Sequence, residues 1–279
     1  MSSPHLKAVI FDIGGVVCRS PLIAIAAYER EHGIPPNYIN CSIAGRGAHG
    51  AWQKFERGEI PLFEFYAAFG RELSDTKAGN AWYAEYCRRK GIDCPKLPDG
   101  LDIDGRELFG RMMREAGTFD EVVVHAIRRI KAADRWRVIA LTNNFAKTDI
   151  DVRELPRSAA QGTQVTVESE LAFLGWHEGP TPPHLRALFD DFCDSSTLGM
   201  RKPEPEFYLV ACKRNGIQPN EAVFLDDLGI NLKAAQKLGM EVIHVPIGGS
   251  REVIKKLEGK LGIDLTSGLQ PSEWMLSKM

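Results

Sequence analysis

The run Leu6-Lys7-Ala8-Val9-Ile10-Phe11-Asp12-Ile13-Gly14-Gly15-Val16-Val17 decides how the rest of this chain is read. Leu6–Phe11 has the apolar character of a buried strand, and the strand stops on one acid, Asp12. Two glycines soon follow, residues that let a backbone turn sharply and come close to a ligand. A carboxylate at a buried strand end, ahead of such a turn, suits a nucleophile or a metal ligand. A plain turn-forming acid is the structural alternative.

Outward from this strand, short apolar segments alternate with helical ones. Arg137–Leu141, Asp191–Cys193, Ala222–Leu225 and Glu241–Val245 read as further strands. Phe119–Ala133, Glu204–Arg214, Gly229–Leu238 and Ser250–Leu261 read as helices, the third stopped by Gly239. The alternation predicts an α/β fold with a Rossmann-like parallel sheet. Right-handed crossovers then bring all strand C-termini to one edge, where open sheets of this kind bind ligands.

The stretch from Cys18 to Thr118 breaks the pattern. It has helical segments at Leu22–His32, Ala51–Arg57, Leu62–Leu73 and Ala81–Lys90 and no strand signal. We expect a helical cap, inserted after the first strand's loop and placed to close over the ligand edge. The expected division is a core of residues 1–17 and 119–279 and a cap of residues 18–118. Phe145 to His184, with Pro-rich turns at Glu178-Gly179-Pro180-Thr181-Pro182-Pro183, is a second irregular stretch. Its length suits a second lid, a dimer contact or a flexible insertion.

Composition narrows the function classes. A length of 279 residues can bury one large core, or a core and a smaller domain. The net charge of −2 offers no basic field, which argues against a nucleic-acid partner. No apolar run approaches the ~18 residues of a membrane span, and the N-terminus lacks the layout of a signal peptide. An intracellular protein without membrane contact is expected. The six cysteines show no C-x-x-C spacing, so reduced, packed thiols are expected instead of a zinc site or disulfides.

Three more clusters fall on the same predicted edge as Asp12. Leu141-Thr142-Asn143-Asn144 closes the second strand, and Thr142 and Asn143 can donate hydrogen bonds to an oxyanion. In Gly199-Met200-Arg201-Lys202-Pro203-Glu204-Pro205-Glu206, the proline holds the preceding residue extended, so Lys202 is a positioned cation. Val223-Phe224-Leu225-Asp226-Asp227-Leu228-Gly229-Ile230-Asn231 ends the fourth strand on two adjacent acids, which need a counter-charge or serve as helix caps.

These four clusters, in this order, resemble the haloacid-dehalogenase-like hydrolase superfamily. The segments around Asp12 and around Asp226-Asp227 are similar to the branch that holds the N-terminal phosphatase domain of soluble epoxide hydrolase and the hydrolase-like domain of some acyl-CoA dehydrogenases. The resemblance implies a Mg²⁺-dependent phosphatase acting on a small phosphorylated metabolite. Asp12 would form the aspartyl-phosphate, Thr142 and Asn143 would bind phosphoryl oxygens, and Lys202 would offset charge on both Asp12 and the phosphoryl group. Asp12, the Gly14 carbonyl and Asp227 would hold Mg²⁺, with Asp226 either beside them or behind with Asn231. Three acids and one lysine leave a deficit that a divalent ion closes.

One departure stands out. Most phosphatases of the superfamily resemble one another in having Asp two residues after the nucleophile, as general acid and base, and this chain has Gly14. The departure favours substrates whose leaving group needs little protonation. It also keeps open a 2-haloacid dehalogenase, because a halide leaves without a proton, and a catalytically impaired domain that binds a metabolite or a protein. In the insert, Arg46, His49, Trp52 and Arg57 are candidate substrate readers, a solvated helix with a buried Trp being the plainer meaning. The final Ser277-Lys278-Met279 is similar to a peroxisomal address, so the expected location is cytoplasm first and peroxisome second.

Overall fold

A computed structural model describes residues 3–145 and 166–269. Its strands are β1 (Ala8–Phe11), β2 (Arg137–Thr142), β3 (Asp191–Asp194), β4 (Ala222–Asp226) and β5 (Glu241–His244). They form one sheet in the order β3-β2-β1-β4-β5, and every adjacent pair is parallel. The expected α/β architecture is therefore present, with strand limits within two residues of the sequence reading.

Both faces of the sheet are covered, which is why its strands read as apolar runs and not as alternating ones. Val9, Phe11, Ala140, Val223 and Leu225 pack with α7 (Glu121–Ala133) and α13 (Ser250–Leu261). Ala8, Ile10, Leu141 and Phe224 pack on the other side with α11 (Pro205–Arg214) and α12 (Gly229–Lys237). Each fully buried Val, Leu, Ile or Phe contributes roughly 1.5–3 kcal/mol. Register then sets the chemistry. Phe11 lies opposite Ala140 and Leu225, so the next residues on the three central strands, Asp12, Leu141 and Asp226, emerge at one level of the carboxyl edge.

The insert holds α1 (Leu22–Glu31), α2 (Tyr38–Gly45), α3 (Ala51–Glu56), α4 (Leu62–Ser74), α5 (Thr76–Lys90) and α6 (Gly105–Ala116). Two of these, α2 and α6, escape the sequence reading. The two internal or terminal glycines of α6 lower its helix propensity by about 1 kcal/mol each relative to Ala, yet tertiary packing requires one of them. A Cβ on Gly105 would sit 2.3 Å from the Tyr66 carbonyl oxygen and 2.6 Å from the Gly70 nitrogen, so α6 crosses α4 closer than any side chain permits. α5 also begins earlier than expected, at Thr76, because Asp75 caps it by accepting from the Ala78 N–H at 3.2 Å.

The helical layer has its own apolar centre, which includes Phe55, Phe65, Phe69 and Phe109 and also takes in Phe145, Leu174 and Trp176 from beyond residue 118. The described part of the second irregular stretch contains α8 (Val167–Leu174) and α9 (Pro183–Arg186). Buried Glu170 of α8 pairs with Arg106 at 2.7 Å and accepts from the Tyr66 hydroxyl at 2.8 Å, which ties α8 to the insert. All six cysteines are unpaired. No described helix is long and apolar enough to cross a membrane. The tripeptide 277–279 lies outside the described residues.

Candidate active site

Lys202 is the hub of the site. Its Nζ lies 2.7 Å from Asp12 Oδ2 and 2.8 Å from Asp226 Oδ2, and the lysine is only 1% exposed. It sits in the turn between α10 (Ser195–Leu198) and α11, ahead of a cis Lys202-Pro203 bond. Asn143, at the exit of β2, holds its backbone at both ends. The Asn143 Oδ1 accepts from the Lys202 N–H at 2.8 Å, and the Asn143 Nδ2 donates to the Lys202 carbonyl at 3.0 Å.

The three acids differ in how fully their oxygens are used. Asp12 Oδ1 accepts from the Ile13 N–H at 2.7 Å. Asp226 accepts from Lys202, from the Leu228 N–H at 2.7 Å and from Asn231 Nδ2 at 3.1 Å to both oxygens. Asp227 accepts from the Ser20 hydroxyl at 3.1 Å. The glycine that makes room for it is Gly15, at φ +82, where a Cβ would lie 2.1 Å from Asp227 Oδ2. Each of the three carboxylates offers an oxygen, and these lie within 4.8 Å of one another.

Such crowding shows in the acidities. Burial pushes the Asp12 carboxyl well above the usual carboxylate range; Lys202 opposes this, and Asp226 and Asp227 add to it. Burial and the neighbouring Asp226 push Asp227 up to about 6, against Lys202. For Lys202, burial favours the neutral amine, but Asp12 and Asp226 together outweigh it and raise the ammonium's pKa. One cation thus faces three acids. An all-oxygen donor set with a surplus of negative charge fits a divalent cation of the Mg²⁺ type.

Lys202→Met should therefore destabilise the metal-free protein, because it leaves buried carboxylates without their counter-ion. The expected cost is roughly 3–5 kcal/mol, or on the order of 10 °C in Tm. Adding Asp226→Asn should recover part of it. Thermal unfolding checks this, and a Tm within 2 °C or so of the parent would contradict it.

The other expected residues fall in two groups. Thr142 is buried at the site edge, its hydroxyl making only a long 3.4 Å bond to the Asn143 carbonyl. Asn143 spends its amide on the Lys202 backbone, where the sequence suggested an oxyanion donor. Asn231 braces Asp226. Arg46 is not brought to the acids by any bond. Its guanidinium is engaged by the Glu72 carbonyl at 2.8 Å, by Asp75 at 3.0 Å and by the Trp82 ring. His49 is exposed in a short turn, 47–49. Trp52 packs against Phe65, Phe69 and Phe109, while Arg57 reaches the core at Glu204, 3.6 Å away. Ser20, Glu56, Ser195 and Arg201 escaped the sequence reading. Their partners lie far away in the chain, and the one local signal was the glycine after Glu56-Arg57.

A family model described as haloacid dehalogenase-like hydrolase matches residues 6–239. The chain is 29% identical over 264 residues to acyl-CoA dehydrogenase family member 10 of Mus musculus, covering 94% of this chain and 20% of that protein. It is 26% identical over 271 residues to bifunctional epoxide hydrolase 2 of Sus scrofa, covering 96% and 41%. It spans less than half the length of either. A sesquiterpene phosphatase of Aspergillus oryzae is 33% identical over 241 residues, covering 86% of this chain and 89% of that one.

Proposed function

Because this chain belongs to the haloacid dehalogenase-like hydrolase family, we propose that it is a Mg²⁺-dependent phosphatase that works on a small phosphorylated metabolite. The observation that carries the reading is the Asp12–Lys202 pair, 2.7 Å apart, with two more acids beside it. Asp12 is the nucleophile. Its carboxylate oxygen attacks phosphorus, the bond from phosphorus to the leaving oxygen breaks, and water then opens the aspartyl-phosphate to release inorganic phosphate. Lys202 favours the ionised form of Asp12 against its burial and aligns it, and Thr142 donates its hydroxyl to a phosphoryl oxygen.

Asp12, Asp227 and the Gly14 carbonyl would hold Mg²⁺, which when bound supplies charge neutralisation for the phosphoryl oxygens. Asp226 serves as a brace, since its oxygens already accept from Lys202, Leu228 and Asn231. The insert of residues 18–118 forms the cap, with α8 packed on it, and the parallel sheet with its covering helices forms the core. His49, exposed in the cap, remains the candidate substrate contact there, and Arg46 a shaper of the cap.

Gly14 favours a second reading, dehalogenation, in which no leaving-group proton is needed. The charge balance favours the first, because a metal-free site would leave three acids against one lysine. A screen of phosphorylated metabolites and 2-haloacids, with Mg²⁺ and with a chelator, separates them. Phosphate release that disappears with the chelator is expected. Chloride release in the chelator would install the second reading, and neither activity, with inorganic phosphate still raising Tm, would point to a binding module.

A further inference from the structure

Contacts between the cap and the core converge on Glu56, a residue the phosphatase reading leaves unused. It ends α3 and is buried. Its Oε2 accepts from Arg201 Nε at 2.5 Å. Its backbone carbonyl accepts from the Ser195 hydroxyl. That same hydroxyl oxygen accepts from the Asn144 N–H at 3.0 Å.

These bonds close a ring. Arg201 directly precedes Lys202, Asn144 directly follows Asn143, and Asn143 clasps the Lys202 backbone. One residue of the cap therefore grips both core loops that carry the candidate chemistry, from the carboxylate on one side and the carbonyl on the other. Two neighbours of Glu56 reinforce the grip. Phe55 stacks on Phe145 at 4.9 Å and 16°. Gly58, at φ +68, lets the chain run so close to Ser196 that a Cβ would sit 2.9 Å from its carbonyl oxygen.

We infer that Glu56 is a positioning residue: through Arg201 and Ser195 it sets the placement of Lys202 and of the Thr142–Asn144 turn, so that docking of the cap orders the core site. The physical basis is that a buried carboxylate is costly unless paired, and its partner Arg201 is bonded to the chain one residue from the lysine. Burial raises the Glu56 carboxyl and Arg201 opposes that rise. Its kinetic consequence rests on the phosphatase reading; the placement itself does not.

Glu56→Gln tests the inference, since it keeps size and the carbonyl bond to Ser195 and removes only the charge. Amide hydrogen exchange in residues 142–145 and 195–204 should quicken in both segments. With an aryl phosphate and Mg²⁺, kcat should fall by up to about a hundredfold, as expected for a misplacement near 1 Å, with little change in KM. Arg201→Gln should do the same, and the double variant should be no worse than either, because both break one ring. Unchanged exchange in both segments, or losses that multiply in the double variant, would overturn it. A parent protein that hydrolyses no phosphate would refute the phosphatase reading, and the exchange result would still decide the role of Glu56. Should Glu56→Gln not fold, Arg201→Lys, which keeps the charge and loses the reach, carries the same measurements.

Discussion

Asp12→Asn should abolish phosphate release, by roughly 10⁴ to 10⁶-fold, the range seen when a covalent nucleophile is removed. The substitution keeps the shape of the side chain and removes the oxygen proposed as the nucleophile. The fold should survive it, because two effects on stability oppose each other. Removing a charge from a buried group whose carboxyl is already pushed well above its usual range relieves the cluster. Against that, an amide cannot accept from both Ile13 N–H and Lys202 Nζ, the two donors that face Asp12 at 2.7 Å. Each effect is on the order of 1–3 kcal/mol, so Tm should move by no more than about 4 °C. Acid quenching during turnover gives the direct measurement. The parent should trap an acid-stable, base-labile phosphoryl group and Asp12→Asn should trap none. Turnover that persisted in Asp12→Asn would assign the nucleophile elsewhere.

Why Asp12 was legible and other residues were not follows from how each is determined. A strand covered on both faces must be apolar throughout, so β1 and β4 announce themselves, and their register alone brings Asp12 and Asp226 to one level. Lys202 was legible because a following proline restricts it. Glu56 and Arg201 were not, since their bond spans 145 residues and the nearby Gly58 signals a turn but not its partner. Arg46 is the opposite case. An arginine in a polar insert looks available, and only the placement of Asp75, Glu72 and Trp82 shows that it is occupied within the insert. The helices α2 and α6 were hidden by the same rule. Glycines and β-branched residues weaken the local helix signal, while the packing that needs them lies on a different helix.

The adjacent glycines of the first loop look equivalent in sequence, and the structure separates them. Gly15 is demanded by its positive φ and by the approach of Asp227. Gly14 is not. Its φ lies outside the left-handed region, and a Cβ there would meet only Pro21 Cδ, at an ordinary 3.5 Å. The backbone thus accepts a side chain at the place where most phosphatases of the family resemble one another in having an acid, and the absence of that acid is chemical in consequence instead of steric in cause. Gly14→Asp should fold and should speed the hydrolysis of alkyl phosphates by about 10²- to 10⁴-fold, the usual worth of a positioned general acid, or roughly 3–5 kcal/mol of barrier. The neighbouring acids help here, because a fourth carboxyl placed among them is held protonated to a higher pH and is available as a donor. Aryl and acyl phosphates, whose leaving groups need little protonation, should gain far less. Rates across a leaving-group series, parent beside variant, give the measurement: a steep dependence in the parent that flattens in Gly14→Asp is the expected result. Equal rates for alkyl and aryl phosphates in the parent would mean that a proton already reaches the leaving oxygen from another group.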